Sequence, residues 1–329
     1  MNSEPFDVLV TGAAGHLGAA LMLELPSLGY RPLGIDILPS ETTSVQGSIS
    51  DRDFVASLVK ANPGIRHVVH TATLHKPHVD SHSVQDFIDT NVTGTQVLLE
   101  AAATLTALES FLFISTTSTF GAALSPSPGS PAAWINESVT PIPKNIYGIT
   151  KCAAEDLCFL AYKKQRLPVL VLRTSRFFPE QDDDEQRRAA LDDSNLKVLE
   201  LVYRRVDVAD VVSACVAGMK NARRIGWSKF IISAPTPFQN DAETLEVLNR
   251  DAKSVFERVV PQSVQVFEQR LDRVYDSGKA VKELGWKPVY TFERALEQIA
   301  KGQEWRSELT LRVGKKGYHT VSTGVYTQR

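Results

Sequence analysis

The stretch Phe6-Asp7-Val8-Leu9-Val10-Thr11-Gly12-Ala13-Ala14-Gly15-His16-Leu17-Gly18 decides the fold of this chain. Its apolar run, Val8-Leu9-Val10, predicts a buried strand, and residues 17–28 predict an amphipathic helix. A turn with three glycines joins the two. A strand, a glycine turn and a helix in this order are typical of a site that binds the pyrophosphate of a dinucleotide.

Each glycine has a separate part in that prediction. Gly12 permits the tight turn, Gly15 lets backbone approach a ligand closely, and Gly18 lets the helix pack against the strand. The start of the helix, at His16 and Leu17, would then offer N–H groups and a partial positive charge to the pyrophosphate. A plain glycine turn is the alternative, and the glycines alone do not decide between the two.

Asp36 favours the dinucleotide interpretation. The second apolar run, Pro32-Leu33-Gly34-Ile35, ends at this residue, 18 positions after Gly18. A dinucleotide fold places an acid there to accept the hydroxyls of the adenosine ribose. Because a carboxylate repels a 2′-phosphate and no Lys or Arg follows before Arg52, we expect NAD as the cofactor rather than NADP. The alternative is an aspartate that only ends a strand.

Length and composition exclude several classes of protein. The 329 residues, 43% of them hydrophobic, suffice for a large core, and a formal net charge of −2 gives no indication of nucleic-acid or membrane binding. No apolar run is long enough to span a membrane, and the three cysteines lack metal-binding spacing. The first strand begins within the first ten residues, which leaves no room for a signal peptide, so we expect a cytoplasmic protein.

Predicted strands and helices alternate over the first two thirds of the chain. After Asp36 the predicted strands are residues 67–70, 111–114, 169–172 and 230–232. The predicted helices are residues 51–60, 84–108, 146–160 and 207–220, and later 243–249 and 291–299. This alternation predicts an α/β fold, a doubly wound parallel sheet with helices on both faces. Residues 125–131, rich in Ser and Pro, predict a loop at the edge of the site.

A second motif, Tyr147-Gly148-Ile149-Thr150-Lys151, carries chemistry. Its phenol and ammonium groups, four positions apart, share one face of a helix. A cation beside a phenol lowers its pKa, so Tyr147 would exchange a proton with an alcohol oxygen whose carbon exchanges hydride with nicotinamide. A surface Tyr–Lys pair is the alternative. The hydroxyl-rich stretch 114–121 argues against it, because it would supply hydrogen-bond donors to the substrate oxygen.

Taken together, the motifs resemble the extended short-chain dehydrogenase/reductase family, the group of NAD-dependent sugar epimerases and dehydratases. The resemblance covers about the first 235 residues and touches residues 276–288. It implies that Tyr147 is the acid/base, that Lys151 holds the nicotinamide ribose and tunes Tyr147, and that Thr116 takes the place of the family's Ser/Thr. The cofactor contacts that it implies are Gly12, Gly15, His16, Leu17, Gly18, Asp36, Ile49, Thr71, Ala72, Thr73, Asn91, Tyr147 and Lys151.

The resemblance also suggests a division into domains. We predict an NAD-binding Rossmann domain over residues 1–175, with returns at about 206–235. A smaller, mostly helical substrate-binding lobe would take residues 176–205 and 236–310, and residues 311–329 would form a C-terminal tail. Residues 84–108 and 146–160 could form the four-helix dimer interface common in the family, so we expect a homodimer.

Several departures from the family pattern narrow the reaction. Family dehydratases have an Asp-Glu pair after the Ser/Thr, where this chain has Thr117 and Ser118, so elimination lacks its acid and base. Arg176 stands where the family usually has an Asn near the sugar diphosphate. Arg176 and Arg205 could clamp a phosphate or carboxylate, or they could pair with the acids at 182–185. With His75 and Thr117 they are the candidate substrate-binding residues.

His75, His78 and His82 follow one predicted strand at helical spacing and could in principle bind a metal. Pro77 interrupts such a helix, and the redox mechanism needs no metal. We therefore expect no metal site and a substrate-lining or solvent-exposed role for these histidines.

The leading functional hypothesis is an NAD-dependent oxidoreductase that epimerises a sugar or nucleotide sugar through a secondary alcohol and its ketone. The alternative within this class is an NAD-dependent dehydrogenase or reductase of another small carbonyl compound. A third hypothesis is an NAD-sensing binding protein that has lost its chemistry. Such proteins typically lose the tyrosine or the lysine, and this chain has both.

Overall fold

The structure, a computed structural model, describes residues 5–127, 129–179, 189, 192–259 and 270–317. Its strands are β1 (Val8–Thr11), β2 (Pro32–Asp36), β3 (Val45–Gln46), β4 (His67–His70), β5 (Ser110–Thr116), β6 (Ala133–Ile135), β7 (Val169–Thr174), β8 (Trp227–Ile232) and β9 (Arg273–Tyr275). In the described part, one seven-stranded sheet has the order β3-β2-β1-β4-β5-β7-β8, and all its neighbours are parallel. The predicted doubly wound parallel sheet is confirmed.

The helices are α1 (His16–Glu24), α2 (Arg52–Ala61), α3 (Val84–Phe87), α4 (Gly94–Ala102), α5 (Ile146–Gln165), α6 (Asp193–Glu200), α7 (Val208–Ile225), α8 (Ala242–Leu248), α9 (Ala252–Val259), α10 (Phe292–Ala300) and α11 (Glu308–Val313). Asp51, Asn145 and Asp207 cap the first turns of α2, α5 and α7 with their side chains. These caps mark helix starts within a residue or two of the predicted ones.

Two predicted helices differ from the observed ones. The helix predicted over 17–28 ends at Glu24 and continues as the 3₁₀ turn Leu25–Leu28, because Pro26 has no N–H to extend the α-helix. The helix predicted over 84–108 ends at Ala102, and the π turn Ile88–Thr93 lies between α3 and α4. Periodicity alone gave no sign of either break.

The sheet has an apolar cluster on each face. Val8 and Val10 of β1 pack with α1 and α7, whereas Leu9 faces the cluster that includes α2, α4 and α5. This alternation follows from the two-residue period of a strand. A third apolar cluster joins α6, α8, α9 and α10 and forms the core of the predicted lobe.

The C-terminal segment contributes to both parts: α11 packs on the sheet, whereas α10 packs in the lobe. Trp286, Leu309 and Val313 belong to the cluster of α1 and α7. Asp207 accepts hydrogen bonds from the N–H of Ser307, at 3.0 Å, and from its hydroxyl, which ties the start of α11 to the start of α7. The boundary predicted at residue 310 therefore falls inside a helix that belongs to the sheet side, while the division as a whole stays a prediction.

A second, smaller sheet joins β6, from the range predicted for the Rossmann domain, to β9, from the predicted lobe. β6 and β9 pair in parallel, although about 140 residues separate them in the sequence. This pairing brings β9 to the edge of the large cavity described below. Part of the acidic segment 177–193, one residue of the loop 125–131 and residues 318–329 lie outside the described residues.

Candidate active site

The glycine turn has the geometry that the sequence predicts at two of its three glycines. Gly12 has φ of 72°, and a Cβ there would lie 2.7 Å from the N of Ala72. A Cβ on Gly18 would lie 1.9 Å from the carbonyl oxygen of Gly12, so only glycine lets α1 pack this closely. At Gly15 a Cβ would meet only one chain atom within 4 Å, at 3.3 Å, so packing within the chain does not require this glycine. Gly15 faces the cavity, which leaves a ligand as the reason for it.

A cavity of about 620 Å³ opens at the carboxyl ends of the central strands. Ligands of open parallel sheets bind at this edge. Of the predicted site residues, those lining the cavity are Gly12, Gly15, His16, Leu17, Gly18, Asp36, Ile49, Thr71, Ala72, Thr73, His75, Thr116, Thr117, Tyr147 and Arg176. Three predicted residues, Asn91, Lys151 and Arg205, do not line it.

Asp36 stands at the cavity end of β2 with a fixed carboxylate. One oxygen accepts the N–H of Ala14 at 3.0 Å, and the other accepts the N–H of Leu38 at 2.9 Å. A carboxylate oxygen has two lone pairs, so each oxygen can still accept a hydroxyl. The side chain is thus oriented to accept a ribose hydroxyl without having to reorganise.

Asn91 lies behind the cavity wall and positions it. Its amide oxygen accepts the N–H of Leu74 at 2.8 Å and the hydroxyl of Thr73 at 2.9 Å, and its amide nitrogen donates to the Leu74 carbonyl at 2.9 Å. The same nitrogen donates to Thr150 on α5 at 3.0 Å. The π turn that contains Asn91 turns this side chain inward. The residue predicted to lie close to the cofactor therefore holds the loop and helix that line the cavity.

Tyr147 lies in the first turn of α5, which Asn145 caps. Its hydroxyl lies next to Thr116 at the end of β5, and the side chain is buried. Burial raises the pKa of Tyr147 to about 12, and the nearby Thr116 hydroxyl offsets only part of this effect. The prediction of a lowered pKa is wrong for the chain in this state, because desolvation of the phenolate outweighs the other influences.

Lys151 explains why the cation does not lower that pKa. Its Nζ donates to the carbonyl oxygen of Ile114 at 2.6 Å and lies 4.1 Å above the ring of Phe113. Burial lowers the pKa of Lys151 to about 7, and the nearby Glu155 carboxylate opposes this. The ammonium is therefore held at the end of β5, behind the cavity lining.

A buried ion network continues from Lys151 along α5. Glu155, one turn further on, accepts hydrogen bonds from Arg173 at 2.7 and 2.9 Å, from Lys229 at 2.7 Å and from Ser115 at 2.7 Å. The network joins α5 to β5, β7 and β8 directly beneath the site. We did not predict it, although Arg173 at the end of an apolar strand was a signal that a buried acid should be near.

The two predicted substrate-binding arginines have different surroundings. Arg205 is 4% exposed, and it donates to Glu200 at 2.8 Å and to the Phe178 carbonyl at 2.9 Å. Arg176 lines the cavity, and its Nη1 lies 3.7 Å from Glu200. The substrate role predicted for Arg205 is not supported, because its guanidinium is used in a buried ion pair. The acids at 182–185 lie outside the described residues.

The histidines form a row of tilted and edge-on ring contacts beside the phenol. The ring centroid of His75 lies 6.5 Å from that of Tyr147, 5.6 Å from Phe178 and 4.8 Å from His78. His78 accepts the N–H of His75 at 3.0 Å through Nδ1, and its ring lies 5.0 Å from His82. Within the described ranges no group of three or more His, Cys, Asp or Glu side chains could hold a metal ion.

Arg204, Arg273 and Tyr275 also line the cavity, and we did not predict any of them from the sequence. Tyr275 lies next to Thr117, a residue more than 150 positions earlier. The pairing of β9 with β6 and the hydrogen bond of Tyr275 to the Tyr203 carbonyl hold it there.

Comparison with known proteins agrees with this geometry. Residues 8–227 match the model of the NAD dependent epimerase/dehydratase family. The chain belongs to this family. It is an NAD-dependent enzyme of the extended short-chain dehydrogenase/reductase type, as the sequence predicted.

Relatives in the family differ in activity. The human dTDP-D-glucose 4,6-dehydratase is 27% identical over 92% of this chain and 90% of its own length. The UDP-glucose 4-epimerase of Yersinia pestis is 28% identical over 46% of each chain.

Two solved structures share the fold. The UDP-glucuronic acid 4-epimerase of Bacillus cereus, in complex with NAD, has a TM-score of 0.59 and 23% identity and covers 92% of this chain and 100% of its own. The UDP-glucose 4-epimerase of Thermotoga maritima, with UDP-glucose, has a TM-score of 0.61 and 21% identity, covering 91% and 100%. None of the helices described here is long and apolar enough to cross a membrane.

Proposed function

We propose that this protein epimerises a secondary alcohol of a sugar, and specifically of a nucleotide sugar, with a tightly held NAD. The observation that carries the proposal is the contact of Tyr147 with Thr116 at the cavity. The pair presents a transferable proton to a carbinol oxygen, while Thr117 and Ser118 occupy the positions of the dehydratase acid and base. The site can therefore move a proton and a hydride at one carbon, but it lacks the groups that would eliminate water.

The cavity fits NAD at three places. The turn at Gly12 and Gly18 admits no side chain, and the first turn of α1, which no described side chain caps, faces the cavity above Gly15. We infer that this turn binds the pyrophosphate and that Asp36 binds the adenosine ribose. Ile49 and Thr71–Thr73 would line the adenine and ribose positions. A bound NAD would supply the acceptor, and then the donor, of a hydride at the carbinol carbon.

Tyr147 would exchange the accompanying proton. As a phenol with a pKa of about 12, it is protonated at neutral pH and can donate to a ketone oxygen. To take a proton from an alcohol, it needs a positive charge nearby. Lys151 can supply this charge because it lies on the same face of α5, but its Nζ must first leave the Ile114 carbonyl. The lysine would thus bind the ribose, and its positive charge would stabilise the phenolate of Tyr147, which is the form that accepts a proton.

The charge of the cavity favours an anionic substrate. Asp36 is the one carboxylate among the described residues that line it. The lysines and arginines that line it are Lys76, Lys144, Arg176, Arg204, Arg273 and Lys316. A positive field in a concave site attracts and retains anions. A sugar diphosphate carries such charge, and Arg176 is placed to contact it.

We also infer a cytoplasmic homodimer. Ile149 and Leu160, both about half exposed, lie on the same side of α5, and Val84 of α3 is 60% exposed. Apolar side chains on these two helices suit the predicted four-helix interface. All three cysteines of the chain are free, which suits a reducing compartment.

The test begins with the cofactor content of purified protein, measured by native mass spectrometry. The protein is then incubated with UDP-glucose and with UDP-glucuronic acid while epimers are followed by NMR and NADH by absorbance. We expect bound NAD and a new epimer without net NADH, and no epimer with Tyr147→Phe. Steady NADH release would indicate a dehydrogenase instead. If the protein contains bound NAD but turns over neither substrate, and if Tyr147→Phe has the same NAD content as the wild type, the NAD-sensing protein would be favoured.

A further inference from the structure

Thr117, Arg273 and Tyr275 form a polar cluster on the cavity wall, which we call the Thr117 cluster. Arg273 and Tyr275 are two residues apart on β9, so their side chains point to the same face of that strand. The backbone position is fixed on both sides. β9 pairs with β6, and the N–H of Tyr275 donates to the Tyr203 carbonyl at 3.1 Å. The cluster is therefore part of a rigid wall.

Contacts within the cluster orient its donors. The Tyr275 hydroxyl lies next to both Thr117 and Arg273. Asp272, outside the cavity lining, holds the guanidinium of Arg273 through two parallel bonds, Nε to Oδ1 at 2.6 Å and Nη2 to Oδ2 at 2.7 Å. This pair uses one edge of the guanidinium. The other edge is left for Tyr275 and for whatever occupies the cavity.

The cluster lies next to the reacting atoms. Thr117 directly follows Thr116, which lies next to the Tyr147 hydroxyl. A substrate whose carbinol oxygen meets Tyr147 and Thr116 would have Thr117 and Arg273 on the wall beside it, where the substituent of a neighbouring carbon could reach them. In the dehydratase pattern an Asp stands at this position, and a negative group there would repel an acidic substituent. Here a hydroxyl joined to a phenol and a guanidinium replaces that negative charge.

The chemistry of the cluster suits a carboxylate. Guanidinium, phenol and hydroxyl can all donate, and a guanidinium edge matches the two oxygens of a carboxylate. The neighbouring wall adds charge of the same sign, because Arg176 and Arg204 also line the cavity. Glu200, which both contact, is fully buried and does not line it. A neutral hydroxymethyl group would use few of these donors.

We propose that Arg273, held by Asp272 and joined to Thr117 through Tyr275, selects substrates with a carboxylate on the carbon next to the reacting carbinol. This inference rests on the proposed function and deepens it: the substrate is a nucleotide-linked sugar acid. Arg273 and Tyr275 determine specificity and do not take part in the proton transfer.

The test compares kcat/KM for UDP-glucuronic acid with kcat/KM for UDP-glucose on the NAD-loaded protein. We expect the wild type to prefer the acid by at least about tenfold, the order of one charge-assisted contact. In Arg273→Met this preference should collapse toward unity, and Arg273→Lys should keep part of it. The matched control is Arg250→Met on the same lobe, an exposed arginine paired with Glu246 and outside the cavity lining. It should leave the ratio of the two values unchanged.

Thermal unfolding and NAD titration show whether each variant is folded. If Arg273→Met does not fold because Asp272 is left unpaired, Tyr275→Phe replaces it and should lower the ratio by about threefold to tenfold. Equal kcat/KM for the two substrates in the wild type would overturn the inference and leave the proposed epimerase intact. A folded Arg273→Met or Tyr275→Phe protein with the wild-type ratio of kcat/KM for the two substrates would also overturn the inference and leave the proposed epimerase intact. If neither nucleotide sugar is bound or turned over, the proposed function fails and the inference with it.

Discussion

The two walls of the cavity present their polar groups in different ways. On the sheet side, the turn from Gly12 to Gly18 presents backbone N–H groups, and its shape depends on contacts within a short stretch of chain. On the lobe side, arginines from three separate segments present side chains, and acids outside the cavity lining, Glu200 and Asp272, hold them. A backbone site can be recognised from spacing, whereas a side-chain site depends on which partner each charge meets.

Arg205 and Arg273 show what this difference means. The sequence marked Arg205 as a substrate ligand and did not mark Arg273. In the fold, Arg205 lies behind the wall on Glu200, and Arg273 lies on the wall beside Tyr275. Residue type alone does not separate a ligand-binding arginine from a structural one. The following experiments test the contrast between the two walls, from the largest expected effect to the smallest.

Tyr147→Phe removes the transferable proton and keeps the ring. We expect turnover to fall on the order of 10²–10⁴-fold, because general acid–base catalysis contributes about that much. NAD affinity should stay nearly constant, since the hydroxyl lies next to Thr116 and not at the glycine turn. Single-turnover kinetics and NAD titration measure the two quantities. Wild-type turnover in this variant would disprove the catalytic role.

Gly15→Val tests the backbone wall. The valine side chain would enter the space next to the first turn of α1, where we place the pyrophosphate, and NAD affinity should fall by about 100-fold or more. The fold should persist, because a Cβ at this position meets only the Gly12 carbonyl, at 3.3 Å. Gly18→Ala is the contrasting variant. It should reduce both stability and NAD affinity, since its Cβ would lie 1.9 Å from that same carbonyl. Unchanged NAD binding in folded Gly15→Val would place the dinucleotide elsewhere.

Arg205→Met tests whether an arginine that lies outside the cavity lining has a structural role only. The change leaves Glu200 with fewer partners in a buried position and should lower the free energy of unfolding by about 2–3 kcal/mol. At a temperature where the variant is folded, KM for the nucleotide sugar should remain within about threefold of the wild type, since Arg205 does not line the cavity. Denaturant unfolding and steady-state kinetics give the two values. A large rise in KM with unchanged stability would restore the sequence prediction.

Lys151→Met separates stability from function. Burial lowers the pKa of Lys151 to about 7, so the unfolded chain binds a proton that the folded chain releases between about pH 7 and 10.5. Because of this linkage, the free energy of unfolding of the wild type rises as the pH rises through that window. Below the window, the folded protein bears the whole destabilisation caused by burying the charged ammonium. NAD-free Lys151→Met should therefore be more stable near pH 6 by about 1–3 kcal/mol, and the advantage should shrink toward pH 10.

Thermal unfolding across this pH range measures that difference, while NAD affinity and turnover should both fall. A Lys151→Met protein that is less stable at every pH would mean that the hydrogen bond to Ile114 outweighs the desolvation of the ammonium. Lys164→Met, an exposed lysine near the end of α5, is the control and should show no pH-dependent change in stability.

Asp36→Ala should have the smallest effect. The wild type should bind NAD more tightly than NADP, because the carboxylate accepts ribose hydroxyls and repels a 2′-phosphate. The variant should narrow that preference by about tenfold, the order expected for one charge-assisted hydrogen bond. Calorimetric titration with both cofactors measures it. Tighter binding of NADP by the wild type would refute the assignment of Asp36.

Local sequence determined more of the sheet wall than of the lobe wall. Gly12 and Gly18 could be predicted because a left-handed φ and a close approach of backbone admit only glycine. Asp36, Thr116 and Tyr147 could be predicted because parallel strands end at one edge of the sheet, so their spacing along the chain fixes their place in space. The parallel pairing of the strands followed from their alternation with helices, whereas their order in the sheet came from the structure.

The sequence by itself thus determined the parallel sheet, the glycine turn and the family, and it predicted a place for Tyr147 at the cavity. Only the tertiary structure decided that Asn91 supports the wall, that Lys151 rests on the Ile114 carbonyl and that burial raises the pKa of Tyr147. It also decided that Tyr275 meets Thr117. The physical reason is that burial and charge pairing are properties of the neighbours in space. Those neighbours lie from 17 to 158 positions away in the sequence, beyond the reach of a local pattern.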